Sequence, residues 1–268
     1  MTIPRLFTSI QNQTTVAGPD RTFFQRVFWG GLCLRLLIAP FLRQWYHADE
    51  RQLLEFAHFH AHGTLHPFLE AELQMRNQTV PWLLSLGIRI LDFVGLQSPA
   101  YYEWLLHYVF AVWSWLGLWA LIRWVRDQLP EGAREARVYA VATAIFWAYP
   151  MLFSRGLSEA ISFTPAAWTW YWISSNASGV SKKMAFLAGI AGGATSILRY
   201  PSGLFAVGAA LLEGKKNIRR LGIFSVGLAC VVLLGGMLDL YFYDGWLRSL
   251  FRYWDFNRPG GRVSVLFG

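Results

Sequence analysis

Long apolar runs alternate with short polar or basic stretches along almost the whole chain, and this pattern predicts helices that cross or lie on a membrane. The first run, 27–42, contains Arg35 and Pro40 and is followed by Trp45 and Tyr46, an aromatic pair suited to a membrane interface. A polar stretch, 47–79, comes next. Run 80–96 is apolar but carries Arg89 and Asp92, so it predicts an amphipathic interfacial helix. Runs 104–122, 138–153, 161–173, 184–212 and 221–238 complete the set. Several fall short of the roughly 20 residues that a membrane-crossing helix needs. Run 184–212 is interrupted by Arg199-Tyr200-Pro201. Because backbone before a proline disfavours helix, it reads as a hairpin of two short helices with Arg199 near its tip.

Composition sharpens this picture. Of the 268 residues, 54% are hydrophobic and 15% charged, where soluble domains carry about 25% charged. Mean hydropathy is +0.32. The 14 Trp, 20 Phe and 11 Tyr exclude a disordered chain. Two cysteines, Cys33 and Cys230, both inside apolar runs, exclude a disulfide scaffold. The first twenty residues are polar and lack the apolar core of a cleavable signal peptide. The expectation is an all-α polytopic membrane protein with a single transmembrane domain and no separate soluble domain.

The net charge of +8 is spread over short loops, which is how membrane proteins display orientation, and not gathered into a nucleic-acid-binding face. All four lysines, Lys182, Lys183, Lys215 and Lys216, lie in two such loops. Arg219 and Arg220 join the second, and Arg123, Arg126, Arg134 and Arg137 crowd a third. Placing these loops in the cytoplasm makes 1–26 a cytoplasmic N-terminus, 47–96 a first outer loop with interfacial helices, 97–238 a helical bundle and 239–268 an outer C-terminal segment.

That topology sends the chain's least expected polar residues to one face. They are His47, Asp49, Glu50, Glu55, His58, Glu70, Glu72, Arg76, Arg155, Glu159, Arg199 and Asp239. Ionisable groups near membrane depth are costly, and their convergence points to a site. Asp49-Glu50 could supply a general base or a hard-metal ligand. His58 and His62 have the i, i+4 spacing of zinc ligands, but no HExxH and no nearby cysteine supports zinc. Arg199, in a broken apolar hairpin, suits a phosphate because its planar fork matches phosphate oxygens, and Arg155 and Arg76 could join it.

The first outer loop, His47-Ala48-Asp49-Glu50 through Glu55, Ala57, His58, Gly63, Glu70, Arg76 and Pro81, resembles that of glycosyltransferase family 22. These are the polyprenyl-phosphate-mannose-dependent mannosyltransferases of GPI-anchor and lipid-linked-oligosaccharide assembly, with the GT-C membrane fold. Their loop opens His-Pro-Asp-Glu, continues with Glu-x-Ala-His and a Gly, and carries a Thr-Trp-Glu-Trp element. Arg155-Gly156-Leu157-Ser158-Glu159 is similar to the family's Arg-Thr-Leu-Ser-Asn, and Arg199-Tyr200-Pro201 to its Arg-Pro element. Asp239, Phe242, Tyr243 and Trp246 resemble Asp-Ser-x-Phe-Tyr-Gly-x-Trp, and Asn257 with Phe267-Gly268 resembles the segment beyond. Ala48 stands for the family's Pro; Phe68, Leu69 and Ala71 stand for the Thr and both Trp; Asp244 stands for a Gly. Family members run several spans longer, so the chain is expected to be a natural short form or a fragment.

The resemblance implies an inverting sugar transfer from a polyprenyl-phosphate donor, dolichol-type for example, to a glycan or glycolipid acceptor on the non-cytoplasmic face. Asp49 would be the general base. His47, Glu50, Glu70 and Arg76 would hold the acceptor or shape the loop. Arg199 and Arg155 would bind the donor phosphate, with Ser158, Glu159 and Asp239 in support. No metal or other cofactor is obligatory, because a lipid phosphate already leaves well. The compartment would be the endoplasmic reticulum in a eukaryote and the cytoplasmic membrane in a bacterium. An inactive fragment, a non-catalytic membrane subunit of the same family and a small-solute transporter remain alternatives.

Overall fold

The computed structural model describes residues 19–44, 48–64, 76–130, 133–145, 150, 152, 154–174 and 181–258. The expectations placed on His47, Glu70, Glu72, residues 1–18 and the tail 259–268 lie outside the described residues. Every regular element among the described residues is helical. In chain order they are α1 (Pro19–Ile38), α2 (Ala48–His62), α3 (Thr79–Phe93), α4 (Pro99–Gln128), α5 (Arg134–Ile145), α6 (Ser158–Ser174), α7 (Lys182–Leu198), α8 (Gly203–Lys216), α9 (Ile218–Tyr243) and α10 (Arg248–Asn257). A 3-10 turn extends α1 over Ala39–Gln44, and another, Tyr200–Ser202, joins α7 to α8. Among the described residues, three helical stretches are long and apolar enough to cross a membrane: Arg21–Leu42, Pro99–Gln128 and Ile218–Tyr243.

The helices pack as a chain of neighbours. α4 lies against α1, α5 and α6; α6 against α7; and α7 against α8 and α9. α2 and α3 pair with each other and sit on the first part of α4. One core cluster joins α1, α4 and α5 through Phe24, Leu118, Val125 and Ala140. A second joins α2, α3, α4 and α6 through Leu53, Ile88, Leu106, Phe110 and Ile161. A third holds Ile173, Ala188, Ala209 and Phe224 together at the far end of the bundle. At that same end Tyr171 Oη donates to Asp127 Oδ2 at 3.2 Å. The ends of α4 and α6 therefore meet there.

Small residues decide the tightest contact. A Cβ added at Gly189 of α7 would sit 2.0 Å from the Phe224 carbonyl oxygen of α9, so only glycine permits this approach. Close backbone approach through small residues is the usual way helices associate where no water drives them together.

Two polar contacts tie helices together inside the bundle. Arg35 is buried, and its guanidinium donates to Ser114 Oγ at 3.2 Å and to the carbonyls of Gly31 and Ala144 at 3.0 and 3.2 Å, binding α1 to α4 and α5. Pro165 lies inside α6 and has no N–H to offer the Ile161 carbonyl one turn back. The Trp113 indole N–H donates to that carbonyl instead, at 2.9 Å, so the proline ties α6 to α4.

Two corners shape the upper end, where α2 and α3 sit. α7 stops at Arg199, whose backbone is extended (φ −152°, ψ 105°), and the chain reverses into α8. α9 stops at Asp244 and α10 starts after Leu247; both are left-handed (φ 53° and 50°). Asp accepts that conformation more readily than most residues, which lets it stand where a glycine would be usual.

Candidate functional site

The upper end of the bundle brings four charged side chains to one cavity of about 410 Å³. Asp49 from the first turn of α2, Arg76 just before α3, Glu159 at the start of α6 and Arg199 at the end of α7 all line it, with Ser158 beside them. They form two ion pairs. Arg76 Nη2 donates to Asp49 Oδ1 at 3.0 Å, and Arg199 Nη2 donates to Glu159 Oε1 at 2.5 Å. All four remain partly open, between 27% and 54% exposed. Tyr200, Pro201 and, from α10, Tyr253, Phe256 and Asn257 complete the wall.

An apolar groove of about 470 Å³ opens beside this cavity, between α3, α4, α7 and α9. Its surface is almost wholly hydrocarbon, from residues such as Leu83, Val109, Phe110, Val231 and Leu234. Val80, Ile161, Ile197 and Leu198 line both spaces. The molecule thus offers a charged chamber and a greasy slot that share a wall.

Glu50 and Arg155, expected in the site, are turned to each other instead of lining the cavity. Arg155 donates from Nε to Glu50 Oε1 at 3.1 Å and from Nη2 to Oε2 at 2.6 Å. The Gly156 N–H adds a bond to Oε1 at 3.0 Å, and His107 Nε2 of α4 lies 3.4 Å from the same oxygen. Glu50 is only 2% exposed. Burial alone would raise its pKa. The hydrogen bonds from His107 and Arg155 outweigh that and hold the carboxyl below the usual carboxylate range. Glu50 and Arg155 therefore lock α2 to the segment before α6.

Asp239 is also away from the cavity. Its Oδ2 accepts the Ser249 N–H at 2.9 Å and the Ser249 hydroxyl, across the corner between α9 and α10. Ser249 Oγ is in turn bonded to Tyr200 Oη. Glu55 pairs with Arg51 on an exposed turn of α2.

His58 and His62 lie with ring centroids 4.3 Å apart, and His62 Nε2 is 3.1 Å from Asp92 Oδ2. Burial, and then the neighbouring His62, push the His58 pKa down. Among the described residues no three His, Cys, Asp or Glu side chains come together to hold a metal ion. His60 instead braces the backbone next to Arg76. Its Nε2 is 2.9 Å from Gln78 Oε1, and Gln78 Nε2 donates to the Arg76 carbonyl at 3.0 Å.

Several contributing residues were not legible from sequence. His107 sits near the start of the apolar run 104–122; an ionisable residue inside such a run was the signal that could have found it. Tyr253 and Phe256 belong to α10, whose alternation of Phe251 and Trp254 with Arg248 and Arg252 is an amphipathic helical pattern in a segment expected only to be an outer tail.

No family model, curated protein or solved structure matches the chain.

Proposed function

We propose that this chain is a multi-pass membrane glycosyltransferase of the GT-C type, moving a sugar, mannose by resemblance, from a polyprenyl-phosphate donor to a glycan or glycolipid hydroxyl. The observation that carries the reading is the shared wall between the charged cavity and the apolar groove. A lipid-linked sugar phosphate has those two halves: an isoprenoid tail that gains by leaving water and an anionic head that suits an arginine fork.

In this reading Asp49 accepts the proton of the acceptor hydroxyl as that oxygen bonds to the anomeric carbon. The bond from the anomeric carbon to the phosphate oxygen breaks on the opposite side, and the pair of electrons leaves with the lipid phosphate. One displacement inverts the anomeric centre. Arg199, at the cavity wall, stabilises the charge on the leaving phosphate, as a positioned donor does for a developing oxyanion. Arg76 stands opposite as the second cation. Because Arg155 is turned to Glu50 and does not line the cavity, the phosphate role falls to Arg199 and Arg76. The bilayer is a partner in the sense that α3, with Leu83, Ile90 and Phe93 exposed, presents an apolar face to it.

The test is transfer from radiolabelled polyprenyl-phosphate-mannose in native membranes, comparing wild type with Asp49→Asn. Loss of one labelled product, with the variant present in the membrane at the normal level, is expected. Unchanged labelling overturns the assignment of Asp49 and, with it, this donor.

A further inference from the structure

We propose that the corner between α9 and α10 positions both cavity arginines for an anionic lipid headgroup, with Tyr243 and Ser249 as the positioning residues. This inference rests on the reading of the cavity as a lipid-phosphate site.

Arg76 and Arg199 are far apart in sequence, and neither sits inside a regular helix. Arg76 precedes α3, and Arg199 is the extended residue between α7 and its following turn. A long side chain on irregular backbone is placed only as well as that backbone is held. Both segments are held from the same corner. Tyr243, the last residue of α9, donates its hydroxyl to the Arg76 carbonyl at 3.0 Å. Tyr200, directly after Arg199, is bonded through its hydroxyl to Ser249 Oγ.

The order of donors follows from the chemistry. The Ser249 hydroxyl donates to Asp239 Oδ2, and the Ser249 N–H donates to the same oxygen at 2.9 Å. Ser249 Oγ is thereby an acceptor toward Tyr200, whose O–H must be the donor. The relay runs from Tyr200 through Ser249 to the Asp239 carboxylate, which is 2% exposed, as is fitting for a fixed anchor. Packing fixes the corner itself. A Cβ on Gly236 would lie 2.7 Å from the Trp246 ring, so the ring seats directly on α9 backbone. Tyr253 lies against Tyr200, with ring centroids 5.4 Å apart. Tyr243, Ser249 and Asp239 all lie outside the cavity lining. They act through the arginines.

The experiment uses the full-length purified protein in detergent and two probes that share one tail: farnesyl phosphate and farnesol. Variants Tyr243→Phe and Tyr200→Phe keep the rings and remove single hydroxyls. Wild type is expected to favour farnesyl phosphate. Each variant should weaken farnesyl phosphate by about tenfold, the scale of one lost hydrogen bond. Farnesol binding and the melting temperature should stay near wild type. Ser249→Ala should do the same, and if it does not fold, Tyr243→Phe, whose hydroxyl lies outside the cavity lining, still decides. If Arg199→Ala abolishes the preference while the hydroxyl variants keep it, the corner is not a positioning device and the phosphate site stands. Equal loss of both probes with a lowered melting temperature assigns the corner a merely structural role and overturns the proposal. A wild type that does not distinguish the two probes overturns the phosphate reading and the proposal together.

Discussion

Arg155 grips Glu50 at both carboxylate oxygens, at 3.1 and 2.6 Å, across 105 residues of sequence. The pair joins α2 to the segment leading into α6, and both side chains are largely withdrawn from solvent, at 2% and 12% exposure. Removing one member leaves the other charged and without its partner. Such losses cost about 3–5 kcal/mol, more than the intact pair itself contributes. Glu50→Gln should therefore lower the melting temperature of the purified protein markedly, while Glu55→Gln on the exposed turn of the same helix should change it little. Equal effects would show that burial at Glu50 does not carry the energetic weight assigned to it.

The same carboxyl sets a pH dependence. Its folded-state pKa lies below the ordinary carboxylate value of 4.5, because the bonds from His107 and Arg155 outweigh the cost of burial. A lowered pKa means that the folded state binds the proton less readily than the unfolded chain. The stabilisation is therefore fully present above about 4.5 and is lost as pH falls from there through the lower folded value. Melting temperatures of wild type and Glu50→Gln, compared from neutral pH downward, should differ by a constant gap that closes below that point. A gap that widens on acidification would contradict the sign.

The convergence of Asp49, Arg76, Glu159 and Arg199 on one cavity was readable in the sequence from orientation. The basic loops orient the apolar runs, and orientation alone sends those four residues to one end. The hairpin broken at Arg199 was readable for the same reason, helped by Pro201. Which charges face the cavity was not readable. Adjacent residues on a helix point about 100° apart, so Asp49 and Glu50 cannot share one environment, and sequence does not say which turns inward. The structure turns Glu50 to Arg155 and His107 and leaves Asp49 on the cavity wall. Hydroxyl relays such as Tyr200–Ser249–Asp239 are invisible for a further reason: serine and tyrosine carry no pattern, and only the seating of α10 brings them together.

Arg199 offers a sharper chemical test than simple deletion. Lysine keeps the charge but replaces a planar fork with a single ammonium on a flexible stem. In the resting structure the side chain bonds Glu159, which lysine can also do, so the fold should survive Arg199→Lys. A phosphate that is gripped by the fork should not be equally well served. Transfer in membranes should fall by about 10²-fold, the scale seen when one preorganised donor is lost from a developing oxyanion. Full activity with lysine would mean that Arg199 contributes charge alone and that the fork is not used.

The groove is testable through Ala194, on α7 between the facing walls of α3 and α9. A small residue here leaves room for a hydrocarbon chain, and Ala194→Trp would fill part of that room without touching Asp49 or either arginine. If the isoprenoid tail lies in the groove, the lost contacts are made equally in ground state and transition state. Such a loss raises KM and leaves kcat nearly unchanged. An increase in KM of about tenfold for the polyprenyl-phosphate donor is the expected size, since a methylene's worth of contact in a hydrophobic pocket is worth about 1–3 kcal/mol. Leu204→Trp, at a position 79% exposed on α8, introduces the same side chain away from the groove and serves as the control. It should leave both constants as in wild type. A folded Ala194→Trp with an unaltered KM would place the lipid elsewhere, and the apolar slot would then be a packing defect between helices with no part in donor binding.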